Sequence, residues 1–170
     1  MKCAYCDVAQ QEQSLLYADE FAVAFVKETA AVPGQLTVVP REHFTILELV
    51  PEDVFQHCIL LANKLGMAVF DAFGCQGTNI FIQNGVSAGQ KVPHFSIEVI
   101  PRRENDGVNL QWQGKQLLEE EMDSAVLILK DGLESRSSEK KVPVVEEKKE
   151  PLKEEKGKNN YLLKSIRRLP

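Results

Sequence analysis

Two short apolar segments on either side of a tight turn constrain the fold more than any other feature of the chain. Residues 21–26 are apolar and partly β-branched, which is typical of a buried strand. Val32-Pro33-Gly34 then supplies turn-forming residues, and residues 35–40 form a second β-branched segment. A connection this short joins antiparallel strands, because parallel strands need a longer crossover. We therefore predict an antiparallel hairpin over residues 21–40.

The segments that follow complete a small α+β pattern. Pro51-Glu52-Asp53 is typical of a helix start, and apolar residues at helical spacing follow it. Residues 78–83 and 92–100 are predicted strands, and an acidic helix is predicted over residues 116–133. This β-β-α-β-β-α order predicts one antiparallel α+β domain over residues 1–133.

The composition changes after this domain. Residues 134–158 consist mostly of Ser, Lys, Glu, Pro and Val and contain no aromatic residue, so we predict a disordered Lys/Glu-rich linker. Apolar and basic residues return together in residues 159–170, as in a short recognition element for a macromolecular partner or in a frayed terminus. The net charge is −9 for residues 1–133 and +4 for residues 134–170. An acidic body with a basic tail is not typical of a domain that grips nucleic acid through its folded face.

Apolar content and cysteine usage bear on location. The 170-residue chain has no apolar run near the ~18 residues that a membrane helix requires. Its first residues lack the apolar stretch of a signal peptide, so we expect a cytoplasmic protein. Four cysteines in such a chain favour metal binding or redox chemistry over a disulfide framework.

Cys3-Ala4-Tyr5-Cys6 places two thiols at zinc-binding spacing. A structural zinc site needs two further ligands, and the chain has three histidines. His57 lies on the predicted exposed side of the first helix, whereas His43 follows a predicted strand and His94 lies in one. We favour a Cys2His2 zinc site over a redox role, because no strand precedes the thiol pair to place it at a helix start.

One predicted strand carries His94, Ser96 and Glu98 on the same face, because side chains alternate along a strand. The loop before it, residues 83–93, contains glycines that permit a close backbone approach. Its backbone amides suit an anion such as phosphate. The loop and the strand together indicate a binding site more specifically than either does alone.

These segments resemble the histidine triad (HIT) superfamily of nucleotide hydrolases and transferases. The resemblance is carried by Cys3-x-x-Cys6, by residues 33–43 and by residues 83–102, and it extends over about residues 1–125. It implies an antiparallel sheet of about five strands with two helices, and a homodimer in which the sheets join. In zinc-bearing members the ligands correspond to Cys3, Cys6, His43 and His94, so the resemblance implies a structural zinc ion.

The sequence departs from this family where the family's chemistry takes place. Active members have three alternating histidines, and the central one attacks the α-phosphate to form a nucleotidyl-histidine intermediate. The corresponding residues here are His94, Ser96 and Glu98, so we do not expect that mechanism to operate. A carboxylate at position 98 would also repel a bound phosphate. Lys27 stands where many relatives have an acidic residue or asparagine that holds the ribose hydroxyls, and lysine cannot accept those bonds.

The candidate nucleotide-binding residues are Gln83, Gly89, Gln90 and Ser96; the first three have the alternative role of shaping the loop. We predict a zinc-stabilised, catalytically degenerate nucleotide or anion binder, or a scaffold. One alternative is a residual or altered hydrolase or transferase that acts on nucleoside phosphates. The other is a module that binds protein or RNA through residues 159–170.

Overall fold

The computed structural model of the chain describes residues 3–139. The chain divides into two units, Met1–Trp112 and Gln113–Pro170. The described part of the first unit contains two α-helices and five strands, which are α1 (Ala4–Ala9), β1 (Leu15–Ala18), β2 (Ala22–Val26), β3 (Leu36–Pro40), α2 (Glu52–Phe73), β4 (Gly77–Ile82) and β5 (Ile97–Arg102). In the second unit the structure describes one helix, α3 (Glu119–Glu139).

The five strands form a single antiparallel sheet in the order β1-β2-β3-β5-β4. The predicted hairpin is the β2–β3 pair, in which Val23 lies opposite Val39. Strand β5 lies between β3 and β4, so Thr37 of β3 is directly opposite Glu98. The predicted antiparallel α+β fold with about five strands is confirmed.

Helix α2 covers one face of the sheet. Its apolar side chains recur at helical spacing and pack on the alternate residues of β2, β3 and β5 that point the same way. The helix ends at Gly74, whose φ of 56° is the left-handed conformation that glycine adopts without a Cβ clash. The buried residues of this core are Ala22, Ala24, Leu36, Val38, Cys58, Leu61, Ala62, Leu65, Val69, Phe95, Ile97 and Val99.

Helix α1 packs on the opposite face of the sheet. Ala9 is buried there against Val23, Phe25 and Val39, and Tyr5 packs against the same cluster. A six-residue helix is too short to be stable alone, so these contacts and whatever fixes its N-terminus must hold it in place.

Two elements were absent from the sequence-based pattern, and two others differ in their bounds. Helix α1 and strand β1 are so short that they give no periodic signal. Strand β5 begins at Ile97, not at residue 92, because Pro93 has no N–H to donate and the amide of His94 bonds locally to the carbonyl of Val92. The helix predicted over residues 116–133 begins later and runs on to Glu139.

Asp19 fastens the β1–β2 turn to helix α2. Its Oδ1 accepts hydrogen bonds from the backbone amides of Phe21 (2.9 Å) and Ala22 (2.8 Å), and its Oδ2 accepts one from the Tyr17 hydroxyl (2.9 Å). His57 Nε2 lies 2.6 Å from the same Oδ2, and the His57 side chain is 38% exposed. Burial raises the pKa of Asp19, but these hydrogen bonds outweigh it and hold the pKa at about 2. His57 is therefore a contact between the turn and the helix.

Most of the predicted linker, and the whole recognition element at 159–170, lie outside the described residues. Among the residues that the structure does describe, no helix combines the length and the apolar character that a bilayer crossing requires.

Candidate metal centre and adjoining pocket

Two cysteines and two histidines from distant parts of the chain meet at the N-terminal side of β5. The candidate ligand atoms of Cys3, Cys6, His43 and His94 all lie within 4.8 Å of one another. The Nδ1 atom of His94 is 3.4 Å from both sulfur atoms, and that of His43 is 3.3 Å from the Cys6 sulfur. Tetrahedral zinc bonded to sulfur and nitrogen at its usual lengths separates those atoms by about 3.6 Å. These three sulfur–nitrogen separations are therefore close to those of a tetrahedral site, and the four side chains could hold one metal ion.

The fold explains why these four residues converge. Cys3 is the N-cap residue of α1 and Cys6 lies three residues further on, so both thiols are on the same face of the helix. His43 follows the end of β3, and His94 precedes the start of β5. Because β3 and β5 are antiparallel neighbours, the end of one lies beside the start of the other. The thiol pair lies at a helix start, which corrects our expectation.

His94 has the tautomer that a metal ligand needs. Its side chain is fully buried, and its Nε2 donates a hydrogen bond to the carbonyl of Pro40 at 3.1 Å. That bond places the proton on Nε2 and leaves the Nδ1 lone pair facing the thiols. Burial also lowers the pKa of His94, which favours the neutral ring that binds metals.

A pocket of about 590 Å³ opens on the face of the sheet that α1 covers, next to the four candidate metal ligands. Tyr5 from α1, Lys27 after β2, and Ser96 and Glu98 near the start of β5 all line it. Its remaining wall includes the apolar side chains of Phe81, Ile82, Ile100 and Leu110. This volume lies within the range of small-molecule sites, and the pocket combines an apolar wall with a few convergent polar groups.

Glu98 is almost fully buried beside this pocket, and three donors surround its carboxylate. Lys27 Nζ donates to Oε1 at 2.6 Å, while Gln35 Nε2 and Thr37 Oγ1 donate to Oε2 at 2.7 and 3.1 Å. Burial lowers the pKa of Lys27, but the hydrogen bond and charge of Glu98 outweigh it, so the pKa lies above its ordinary value. The repulsion that we expected between Glu98 and a bound phosphate is therefore offset by Lys27.

Comparisons with known proteins agree with the fold described above. The family model described as HIT domain matches residues 8–105. The chain belongs to the HIT domain family. It is 33% identical over 107 residues to an uncharacterized HIT-like protein of Methanocaldococcus jannaschii, an alignment that covers 62% of this chain and 82% of the relative. It is also 27% identical over 106 residues to an adenylylsulfatase of Arabidopsis thaliana, covering 61% of this chain and 54% of that protein.

A solved structure with the same fold holds a metal. It is the crystal structure of a Zn-bound histidine triad family protein from Mycobacterium smegmatis, with a TM-score of 0.60 and 23% sequence identity. The match covers 68% of this chain and 85% of that chain. The HIT fold inferred from the sequence is thus confirmed.

The predicted loop contacts of this HIT domain divide into two kinds. Both ends of the Gln90 amide serve the loop: Oε1 accepts from the amide of Gly85 at 2.8 Å, and Nε2 donates to the carbonyls of Thr45 (2.7 Å) and Val92 (3.0 Å). The geometry therefore favours the loop-shaping role for Gln90. Gln83, in contrast, lines the pocket and has no hydrogen-bond partner for its side chain among the described residues.

Gly89 lies where both its conformation and its surroundings favour glycine. Its φ is +92°, and a Cβ there would approach the Gln83 Nε2 atom to 2.6 Å. Gly89 thus turns the loop and leaves room for the Gln83 amide at the pocket rim.

Tyr5 is a pocket residue that our sequence analysis treated as a spacer between the two cysteines. It lines the pocket together with Lys27 and Ser96, and its ring packs against Phe25 with a centroid distance of 5.6 Å. Burial raises the pKa of Tyr5, so its hydroxyl remains protonated at neutral pH. The sequence signal that could have identified Tyr5 is its position between Cys3 and Cys6, because a residue between two ligands of one metal lies close to that metal.

Proposed function

We propose that this HIT protein binds a nucleotide or another small anion and does not carry out the nucleotidyl transfer of active HIT enzymes. The observation that carries the proposal is the chemistry at positions 96 and 98. The position of the nucleophilic histidine holds Ser96, and that of the third histidine holds Glu98 in its hydrogen-bonded pair with Lys27. The HIT domain surrounds these two changes, and a pocket lies beside them.

We propose that the metal is zinc and that its role is structural. Two thiolates and two imidazoles in a compact cluster are the donor set that zinc prefers, and the M. smegmatis relative is described as Zn-bound. Four protein ligands complete a tetrahedral shell and leave no position for substrate. A bound zinc ion would link α1 to the adjoining ends of β3 and β5.

An altered hydrolase that uses Ser96 receives less support, because the serine lacks a base. A serine hydroxyl needs a neighbouring general base to attack at neutral pH. His94 Nε2 donates to the Pro40 carbonyl, and its Nδ1 faces the thiols. The Glu98 carboxylate accepts three hydrogen bonds, and the raised pKa of Lys27 keeps that amine protonated. The two ionisable neighbours on the pocket wall, Lys27 and Glu98, are thus engaged with each other.

The test is to measure binding and turnover on the same zinc-loaded protein. We expect saturable binding of AMP by calorimetry and no release of AMP from an adenosine phosphoramidate or a dinucleoside polyphosphate above the protein-free blank. Ser96→Ala should change AMP affinity by no more than about tenfold, the effect of one neutral hydrogen bond. Clear turnover that disappears in Ser96→Ala would instead establish the altered hydrolase. Absence of both binding and turnover would refute the proposal and favour an interaction module acting through residues 159–170.

We further propose that the protein forms a homodimer through the edge strand β4. Among residues 3–139 this strand pairs with β5 alone, so its other edge offers backbone groups to a second copy. Beside it, Met67 and Phe70 of α2 and Ile80 of β4 are 57%, 46% and 40% exposed and share one groove. An apolar face next to an open sheet edge is the surface that joining two sheets would cover.

Ile80→Lys is expected to weaken this dimer, because it would place a charge in the apolar contact. Light scattering across a concentration series should show the midpoint of dissociation rise at least about tenfold. Leu16→Lys on the opposite edge strand β1, where Leu16 is 54% exposed, is the matched control and should leave the midpoint unchanged. A wild-type monomer at every concentration, or equal effects of the two variants, would contradict the proposal.

A further inference from the structure

We propose that one apolar face of helix α3 is a docking surface for residues 159–170 of the same chain, which pack on it as an antiparallel partner. The inference goes beyond the proposed function, because it holds whether or not the pocket binds a nucleotide. It rests on the exposure of this face, on the opposite charges of the two segments, and on the matching spacing of their apolar residues.

Helix α3 has a row of apolar side chains that are exposed to solvent. Met122, Val126, Leu129 and Leu133 follow one another at intervals of four, three and four residues, which places them on one side of the helix. These residues are 51%, 49%, 65% and 69% exposed. Soluble proteins rarely leave a continuous apolar patch uncovered, and such patches mark interaction sites. We call these four residues the α3 row.

The composition of α3 also indicates that the helix needs a partner. Gly132 lies inside the helix, and glycine there is less favourable than alanine by about 1 kcal/mol. Val126 and Ile128 are β-branched, which lowers helix propensity further. Most helical stability in proteins comes from the packing of an apolar face, because isolated helices are marginal in water. Coverage of the α3 row would provide that packing.

The charges of α3 determine what kind of partner fits. Residues 119–136 contain six acidic and two basic residues, and all of these are exposed. Two copies of α3 packed together would bring like charges close, which is unfavourable. Residues 159–170, in contrast, contain three basic residues and no acidic one. The charge of α3 therefore favours residues 159–170 over a second α3 as the partner.

The apolar residues of the two segments have the same spacing. Residues 159–170 contain three apolar residues at intervals of four and then three, which are Leu162, Ile166 and Leu169. This spacing is typical of one face of a helix. Read in the reverse direction, the same intervals separate three members of the α3 row, which are Leu133, Leu129 and Val126. An antiparallel arrangement would thus place each of the three against a partner on α3.

The chain between the two segments is long enough for this arrangement. Helix α3 has 21 residues, which corresponds to a length of about 30 Å. Residues 140–158 could extend over about 60 Å at ~3.3 Å per residue. Because both segments belong to one chain, docking has an effective concentration in the millimolar range. The antiparallel direction also places Arg167 towards the acidic N-terminal half of α3, where Asp123 lies.

The test is hydrogen exchange of the α3 amides, measured on the full-length protein and on a chain that lacks residues 159–170. We expect the deletion to speed exchange in α3 at least about tenfold, because the packing that protects the helix is lost. Exchange in α2 should be unaffected, which controls for a folding defect in the HIT domain. A synthetic peptide of residues 159–170 at millimolar concentration should restore slow exchange. Equal exchange in the two proteins would overturn the proposal.

Two point variants test the apolar part and the charged part of the contact. Ile166→Ser should speed exchange in α3, whereas Val145→Ser, the matched change in the linker, should not. Arg167→Glu should also speed it, and Lys149→Glu is the control with the same change in net charge. Adding Asp123→Lys to Arg167→Glu should slow exchange again, because it restores a pair of opposite charges. Equal effects of the variants and their controls would contradict the proposed contact.

Protein concentration distinguishes docking within one chain from association of two chains. Docking within a chain predicts the same α3 exchange rate over about a hundredfold range of protein concentration. Protection that rises with concentration would assign the α3 row to a second copy and overturn the proposal. Fast exchange in α3 both with and without residues 159–170 would also overturn it, and would leave that segment available to a macromolecular partner.

Discussion

A triple variant, Ser96→His with Glu98→His and Lys27→Asn, is expected to hydrolyse an adenosine phosphoramidate that the natural chain leaves intact. Ser96→His supplies an imidazole nucleophile where active HIT proteins have one, and Glu98→His restores the third histidine of their pattern. General acid–base groups contribute about 10²–10⁴-fold each, and an added nucleophile opens a covalent route. We therefore expect a rate at least about 10³-fold above that of the parent, measured as AMP release from the phosphoramidate.

The structure shows why the two histidines alone are not sufficient. Glu98 accepts hydrogen bonds from Lys27, Gln35 and Thr37. Glu98→His would leave the Lys27 ammonium without its partner and beside a new imidazole, whose protonated form it would disfavour. Lys27→Asn removes that charge and provides a side chain that accepts hydrogen bonds from ribose hydroxyls. The double variant without it should be less active than the triple variant.

The control for this experiment keeps every change except the nucleophile. Ser96→Ala with Glu98→His and Lys27→Asn should bind AMP and release none from the phosphoramidate. If the triple variant binds AMP with the parent's affinity and remains inactive, the pocket lacks more than its histidines. If the parent itself shows comparable turnover, it has a chemistry that does not depend on the histidine pattern.

Local patterns identified most of the elements and the four candidate metal ligands, because each lies in a segment with its own signal. The β2–β3 hairpin and the helix α2 follow from periodicity and turn residues. Cys3, Cys6, His43 and His94 followed from the thiol spacing together with the resemblance to the HIT family, and the structure brings them within 4.8 Å. The start of β5 was misplaced, since the effect of Pro93 on the strand depends on the local path of the chain.

The sequence analysis could not reveal how Lys27 and Glu98 act together. Each was interpreted alone as a change that weakens ligand binding, one by loss of an acceptor and the other by repulsion. They are 71 residues apart in the chain, and only the order β2-β3-β5 in the sheet brings Nζ and Oε1 to 2.6 Å. As a pair, they replace a histidine-lined floor by one that presents a cation to the pocket. The two departures from the family pattern are therefore the two partners of one ion pair.

Removal of the metal is expected to release the N-terminal turn and to lower the thermal stability of the protein substantially. Helix α1 has six residues and cannot form alone, and its packing on the sheet is limited to a small cluster around Ala9 and Phe25. The main core lies between α2 and the face of the sheet opposite α1. It contains none of the four ligands and should persist. A loss of about 4 kcal/mol, well below the ~10–16 kcal/mol of zinc-finger peptides, would lower the Tm by about 10 °C or more.

Calorimetry and hydrogen exchange before and after chelation would show both the size and the location of this effect. We expect one zinc ion per chain in the native protein, and faster amide exchange in α1 with protection retained in α2 and in the β2–β3 pair. Cys6→Ser should reproduce the zinc-free state, whereas Cys75→Ser, which alters a buried cysteine outside the cluster, should keep the metal. An unchanged Tm after complete loss of zinc would show that the link between α1 and the strands does not contribute to the stability of the protein. A native protein without metal would show that the four side chains meet for another reason.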